Sequence, residues 1–329
     1  MDGAPDEFDL IARLFAPLTR GHPGAFDLTD DAALLAGEVG TDTVVTVDAI
    51  VAGIHFLPDD PPRAIAAKLL RVNLSDLAAK GAEPVAAVMA AAFPRDLPAG
   101  WLEDFAAGLG ADLDRYGVAL VGGDTVSTPG PLTLSLTAFG RVPAGAMLRR
   151  AGGLAGDTVW VSGTLGDAAL GLRVLKGDFP HLAAADRDHL TERYRLPQPR
   201  VELACGLRAM AHAAMDVSDG LVQDLGHLCR VSGVGAVVEA AALPLSAAAG
   251  SLLAVDETAL ASVLAGGDDY EVLFAAPADA EASVVALAAA TGIRLTPIGR
   301  LVEGAGVRVL DGSANPIDVG KGGWRHFQD

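Results

Sequence analysis

A chain of 329 residues, 51% hydrophobic and 5% aromatic, is long enough for two domains with their own cores and has the composition of a packed globular protein. Its 24 basic residues stand against 42 acidic ones, a net charge of −18, and no basic run exceeds Arg149-Arg150, which argues against a nucleic-acid partner. The Ala-rich stretches are too short or too interrupted by charge to cross a membrane, the N-terminus lacks a signal-peptide core, and Cys205 and Cys229 make no metal spacing, so a cytoplasmic protein with reduced thiols is expected.

In chain order, Glu7 to Leu18 reads as a helix with Phe8, Ile11, Ala12 and Phe15 on one face. A strand is expected over 43–48. Pro61-Pro62 opens a helix through about Ala79, stopped at Gly81, with Asp76 in its last turn. A strand at 85–92, a helix at 98–116, a strand at 118–121 and an alternating strand over 131–142 follow. Arg149 to Asp157 is Gly-rich and reads as a domain junction. Beyond it come a strand at 158–162, a helix from about Gly166-Asp167 and a polar surface connection over 177–198 with Pro180 and Pro197. A helix at 199–214, a turn at Asp216–Gly220, a helix at 220–231, a strand at 235–239 and a helix at about 256–264 are next. A strand at 270–275, a helix at 278–290 and strands at 295–301 and 306–310 complete the chain. The expected fold is α/β (α+β): two domains of similar size, 1–148 and 149–329, each a mixed sheet packed with helices.

The residues that carry chemistry are acidic. Asp30-Asp31, Asp48, Asp76, Gly123-Asp124 and Asp216-Val217-Ser218-Asp219 lie at or near junctions between elements. Gathered carboxylates repel one another unless a hard cation sits among them, and Mg²⁺ is the usual choice where phosphates are also held. For any single Asp an Asx-turn or helix cap is the ordinary role, but five such clusters point to metal-assisted phosphate chemistry. With only four lysines in the chain, an anionic substrate would rely on metal, Arg or backbone N–H groups. Thr46 lies two residues before Asp48, on the same face of an extended chain. Gly123 would let backbone approach a phosphate closely. His55, beside Phe56, is by its local spacing a packed or hydrogen-bonded group. P-loop, protein-kinase, H-E-x-x-H and G-x-S-x-G signatures are all missing.

Taken in order, Asp30 to Ala33, Thr46-Val47-Asp48, Gly53 to Phe56, Asn73 to Pro84, Gly122 to Thr125, Arg150 to Asp157, Asp216 to Leu221 and Gly266 to Glu271 resemble the bacterial thiamine-monophosphate kinases, within the aminoimidazole-ribonucleotide synthetase superfamily. The resemblance spans nearly the whole chain. It implies transfer of the γ-phosphoryl group of ATP to thiamine monophosphate, giving thiamine diphosphate, with several Mg²⁺ ions. It also implies a homodimer whose N-terminal domains pair their sheets. By position, Asp30 or Asp31, Thr46, Val47 through its carbonyl, Asp48, Asp76, Asp124, Asp216 and Asp219 would hold metal. Gly123, Asp124, Arg150 and Ser218 would contact ATP; His55, Asp268 and Trp324 would contact the thiamine phosphate. The N-terminal domain would bind ATP and Mg²⁺ and dimerise, and the C-terminal domain would complete the site. The chain departs from the family pattern at Thr29 (usually Gly), Val47 (usually Thr), Lys80 (usually Met) and Asp268 (usually Glu). Without a structure, Trp324 reads equally well as a C-terminal packing anchor.

Overall fold

The computed structural model describes residues 10–29, 32–256, 258–319 and 323. The chain forms two compact units: residues up to Leu77 with Ala82–Gly145, and Ala78–Gly81 with everything from Ala146 onward. Each unit is built on a mixed sheet covered by helices, the α/β class expected.

The first unit holds a four-stranded sheet in the order β1-β4-β2-β3, formed by β1 (Thr41–Val51), β2 (Glu83–Pro94), β3 (Ala119–Thr128) and β4 (Thr133–Pro143). β1/β4 and β4/β2 are antiparallel, and β2/β3 is parallel. Two 18-residue helices accompany it, α1 (Pro62–Ala79) and α2 (Ala99–Tyr116). α1 is buried nearly all round, so even its polar residues Lys68, Arg71 and Asn73 are buried and hydrogen-bonded. It crosses α2 closely: a Cβ on Gly108 would lie 2.5 Å from the Arg63 Cα. The Arg71–Asp112 pair, its Nε–Oδ2 distance 2.5 Å and both side chains 8% exposed, links the two helices. Breaking such a buried pair from one side costs about 3–5 kcal/mol.

The expected N-terminal helix is not a regular α-helix. A π-helical turn at Ile11–Phe15 runs into a 3₁₀ turn at Ala16–Thr19, because Pro17 removes a backbone donor where the helix would have continued.

The second unit holds a six-stranded sheet in the order β10-β7-β9-β5-β8-β6. Its strands are β5 (Thr158–Ser162), β6 (Ala213–Asp216), β7 (Gly235–Glu239), β8 (Val272–Ala276), β9 (Leu295–Val302) and β10 (Gly306–Leu310). Only β10/β7 is parallel. Strand alternation feeds two cores. Val159, Val161, Leu273 and Met215 join one cluster, with Leu190, Leu221 and Leu225. Trp160, Phe274 and Ala214 join the other, with Leu203, Leu207 and Val284. Trp160 stacks on its cross-strand partner Phe274, ring centroids 6.3 Å apart.

The helices of this unit are α3 (Asp167–Leu175), α4 (Ala184–Arg195), α5 (Ala204–Met210), α6 (Leu221–Ser232), α7 (Ala247–Leu253), α8 (Ala259–Ala265) and α9 (Glu281–Thr291). Two expectations are corrected. The stretch 177–198 is not only a connection: α4 occupies its second half and buries Leu190, Arg193 and Tyr194. The single helix expected over 199–214 is α5 followed by β6, since Ala213 and Ala214 are buried on opposite sides of the sheet. No described helix is long and apolar enough to cross a membrane.

Candidate functional site

In the first unit, β1 and the last turn of α1 bring together three of the residues singled out from sequence. Thr46 and Asp48 share one face of β1, and Thr46 Oγ1 donates to Asp76 Oδ2 at 2.5 Å. The buried Asn73 of α1 accepts the Asp48 N–H through Oδ1 at 3.1 Å and donates through Nδ2 to the Leu69 carbonyl. Asp48 therefore sits inside its strand rather than ending it. Burial, and then the negative charge of Asp76, push its carboxyl up to about 6. Two carboxylates and a hydroxyl, all hard oxygen donors and mutually repulsive when ionised, form a set that suits Mg²⁺. The side chain of Val47 points to the opposite face and is 59% exposed, so only its backbone is available to such a set.

Among the described residues there is no group of three or more His, Cys, Asp or Glu able to hold a metal. Asp30 and Asp31 lie outside the described residues, as does Trp324. Asp124 is not brought to Asp48 within the unit. It lies on β3, the opposite edge of the sheet, and pairs in register with Ala90, whereas Asp48 pairs with Leu136.

Gly122-Gly123-Asp124-Thr125 is not a turn after a strand but the middle of β3. Gly123 is required there by its neighbour, since a Cβ would lie 2.1 Å from the Met89 carbonyl oxygen. Gly123 and Asp124 line a cavity of about 220 Å³ with Val88 and with Ile11, Phe15 and Leu28 of the N-terminal segment.

His55 follows β1 in a tight turn opened by Gly53 (φ +82°) and anchored by the buried Phe56. Its Nδ1 accepts the Val51 N–H at 3.1 Å, which leaves the ring proton of the neutral imidazole on Nε2. Lys68, 2% exposed, donates to the His55 carbonyl at 2.9 Å and fixes the turn from beneath. Sequence reasoning passed over Lys68; its place on the wholly buried face of α1 was the available signal.

In the second unit, Asp216 ends β6, and Val217 to Gly220 turn into α6. Asp219 lies in this turn, and Gln223 donates to it at 3.0 Å. One carboxylate that the sequence did not reveal organises the turn: Asp224 Oδ2 accepts the N–H groups of Ser218, Asp219 and Gly220 at 2.9, 2.9 and 3.2 Å. Burial holds the Asp224 carboxyl up at about 7 against the pull of those donors. Lys80 donates to the Ala214 carbonyl at 2.8 Å, so this departure from the family pattern braces β6 two residues before Asp216.

The segment Gly266 to Glu271 runs antiparallel to that turn. Asp268 N–H donates to the Ser218 carbonyl and Tyr270 N–H to the Val217 carbonyl, both at 2.8 Å. Asp268 (φ +72°) and Tyr270 (φ +50°) are left-handed, at a cost of about 1–2 kcal/mol each for such residues. Their neighbours hold them there. Asp269 accepts from Gly166 N–H (2.6 Å) and Ala168 N–H (3.2 Å), and Glu271 is clamped by Ser162, Arg193 and Arg200. Arg150 is exposed on the loop before β5, with its carbonyl accepting from Ser232.

Residues 29–142 match the AIR synthase related protein N-terminal domain and residues 155–312 the corresponding C-terminal domain. The thiamine-monophosphate kinase of Caulobacter vibrioides is 44% identical, over 98% of this chain and 91% of its own. The crystal structure of thiamine-monophosphate kinase from Stenotrophomonas maltophilia K279a aligns with a TM-score of 0.80 at 46% identity, covering 85% of this chain and 89% of that one. A solved complex described as AaThiL with AMPPCP and TMP aligns with a TM-score of 0.78 at 30% identity, covering 89% of each chain. The chain belongs to the thiamine-monophosphate kinase family of AIR synthase related proteins.

Proposed function

We propose that this chain transfers the γ-phosphoryl group of ATP to the phosphate of thiamine monophosphate, producing thiamine diphosphate and ADP. The observation that carries the reading is the set of Thr46, Asp48 and Asp76, oxygen donors gathered with no ion pair to a cationic side chain among the described residues. The family relationship and the relative's complex with an ATP analogue and TMP support the choice of substrates.

Attack of one phosphate on another is opposed by repulsion between anions. Mg²⁺, when bound, would neutralise that charge and align the reacting groups. Asp48, Asp76 and Thr46 would hold one of several such ions, with the Val47 carbonyl, Asp124, Asp216, Asp219 and one of Asp30 and Asp31 as donors to the set. The protein then has positioning to supply, and no covalent nucleophile is needed. Gly123, Asp124, Ser218 and Arg150 would bind ATP. The neutral His55 would donate from Nε2 to an oxygen of thiamine monophosphate, with Asp268 and Trp324 as further contacts. The first unit would supply most of the ATP and Mg²⁺ donors, and the second the remainder.

We place a homodimer on the open face of the first unit's sheet. Val45 and Val47 are 55% and 59% exposed on one face of edge strand β1, apolar surface that a second copy would cover.

ADP release measured with ATP, Mg²⁺ and thiamine monophosphate tests the metal-holding role. Asp48→Asn should abolish turnover while leaving the melting temperature within a few degrees, and EDTA should do the same to the parent protein. Full activity of Asp48→Asn would remove Asp48 from the site.

A further inference from the structure

Helix α6 is bonded at both ends to segments proposed above to bind ATP. At its N-terminal end Asp224 gathers the N–H groups of Ser218, Asp219 and Gly220. At its C-terminal end the Ser232 hydroxyl donates to the Arg150 carbonyl at 3.3 Å and accepts the Gly153 N–H at 3.2 Å. A serine hydroxyl has one hydrogen to give and lone pairs to receive, so it makes both bonds at once.

We propose that Ser232 is a positioning residue for nucleotide binding, fixing the loop from which Arg150 projects. This rests on the reading of Arg150 as an ATP contact. Arg150 lies in a Gly-rich stretch that is held on its far side by the Asp157 carboxylate, which accepts the Leu154 N–H at 2.8 Å, and on its near side by backbone. The Arg149 carbonyl accepts from Ala214 N–H at 2.9 Å, and Gly152, at φ +123°, passes so close to the His212 carbonyl that a Cβ would lie 2.5 Å from its oxygen. Between these points the Ser232 hydroxyl is the side-chain bond that spans Arg150 and Gly153. Because it sits on the same rigid helix as Asp224, it sets the distance between the Arg150 loop and the Ser218 turn. A long, flexible Arg binds a phosphate well only when its backbone is already placed, since the cost of ordering it is then reduced.

The test is calorimetric binding of the methylene-bridged ATP analogue with Mg²⁺ to the full chain and to Ser232→Ala, Ser232→Cys, Ser232→Thr and Arg150→Ala variants, with melting temperatures alongside. Ser232→Ala and Ser232→Cys should weaken binding on the order of fivefold, the loss of about one hydrogen bond. Ser232→Thr should restore it, and the KM for thiamine monophosphate should stay within twofold of the parent. In an Arg150→Ala background Ser232→Ala should add nothing, because the two act through one contact. Normal binding by Ser232→Ala and Ser232→Cys, beside a clear loss in Arg150→Ala, would overturn this proposal alone. An equal further loss in the double variant would assign Ser232 a purely structural part and overturn it too. Normal binding by Arg150→Ala would remove both the Arg150 assignment and the proposal.

Discussion

Thr46 Oγ1 and Asp76 Oδ2, 2.5 Å apart, tie the middle of β1 to the last turn of α1. The hydroxyl is the donor, so it orients the Asp76 carboxylate while leaving its other oxygen available. Thr46→Val keeps the shape and the strand propensity but removes that donor. Activity should fall roughly 10–100-fold, as it does when a residue orienting a metal-binding carboxylate is lost. Unchanged kcat and Mg²⁺ dependence would show that the bond only joins strand to helix.

Gly123 lies where β2 and β3 approach too closely for a side chain. Gly123→Ala should separate the strands and destabilise the protein by about 1–3 kcal/mol, the usual range for overpacking. The urea midpoint checks this. If the midpoint holds while ATP binding fails, the glycine serves the ligand rather than the sheet.

Asp269 gives stability a pH dependence of definite sign. Burial raises its carboxyl to about 8, with the Asp167 charge adding to the shift and two backbone donors and Arg193 opposing it. Between the ordinary carboxylate range and about 8 the folded state keeps a proton that the unfolded state has released. This contribution is therefore fully present at low pH and is lost as pH rises toward 8, with a slope of at most about 1.4 kcal/mol per pH unit. Asp269→Asn, which resembles the protonated acid, should flatten the fall of stability between pH 5 and 8. An unaltered slope in urea melts would show that the carboxyl is ionised throughout.

Val47 is apolar and exposed on an edge strand. If a second copy covers it, Val47→Lys should convert the dimer to monomer by light scattering, without loss of secondary structure. A parent protein that is itself monomeric at micromolar concentration would contradict the proposed assembly.

Much of this was legible in the sequence. The alternation of 131–142 and the proline-opened, glycine-closed run of α1 gave those elements nearly to their ends. What escaped was set by tertiary contact. α4 is polar because its burial is local, with Leu190 and Tyr194 inside and Arg193 neutralised by Glu271. β6 was hidden in an Ala-rich run, since alanine carries no β signature. β8 begins at Val272 rather than Tyr270 because that residue is left-handed. In the candidate site, the pairing of Thr46 and Asp48 followed from spacing, whereas their meeting with Asp76 needed the packing of α1. Asp224 and Lys68 stand outside any short motif; only the bonds they make to backbone reveal them.

The most direct test of the proposed reaction is identification of the product by phosphorus NMR after incubation with ATP, Mg²⁺ and either thiamine monophosphate or free thiamine. Thiamine diphosphate formed from the monophosphate alone, in step with ADP, is the predicted result. Phosphorylation of free thiamine instead, or no thiamine diphosphate from folded protein that binds the ATP analogue, would contradict it.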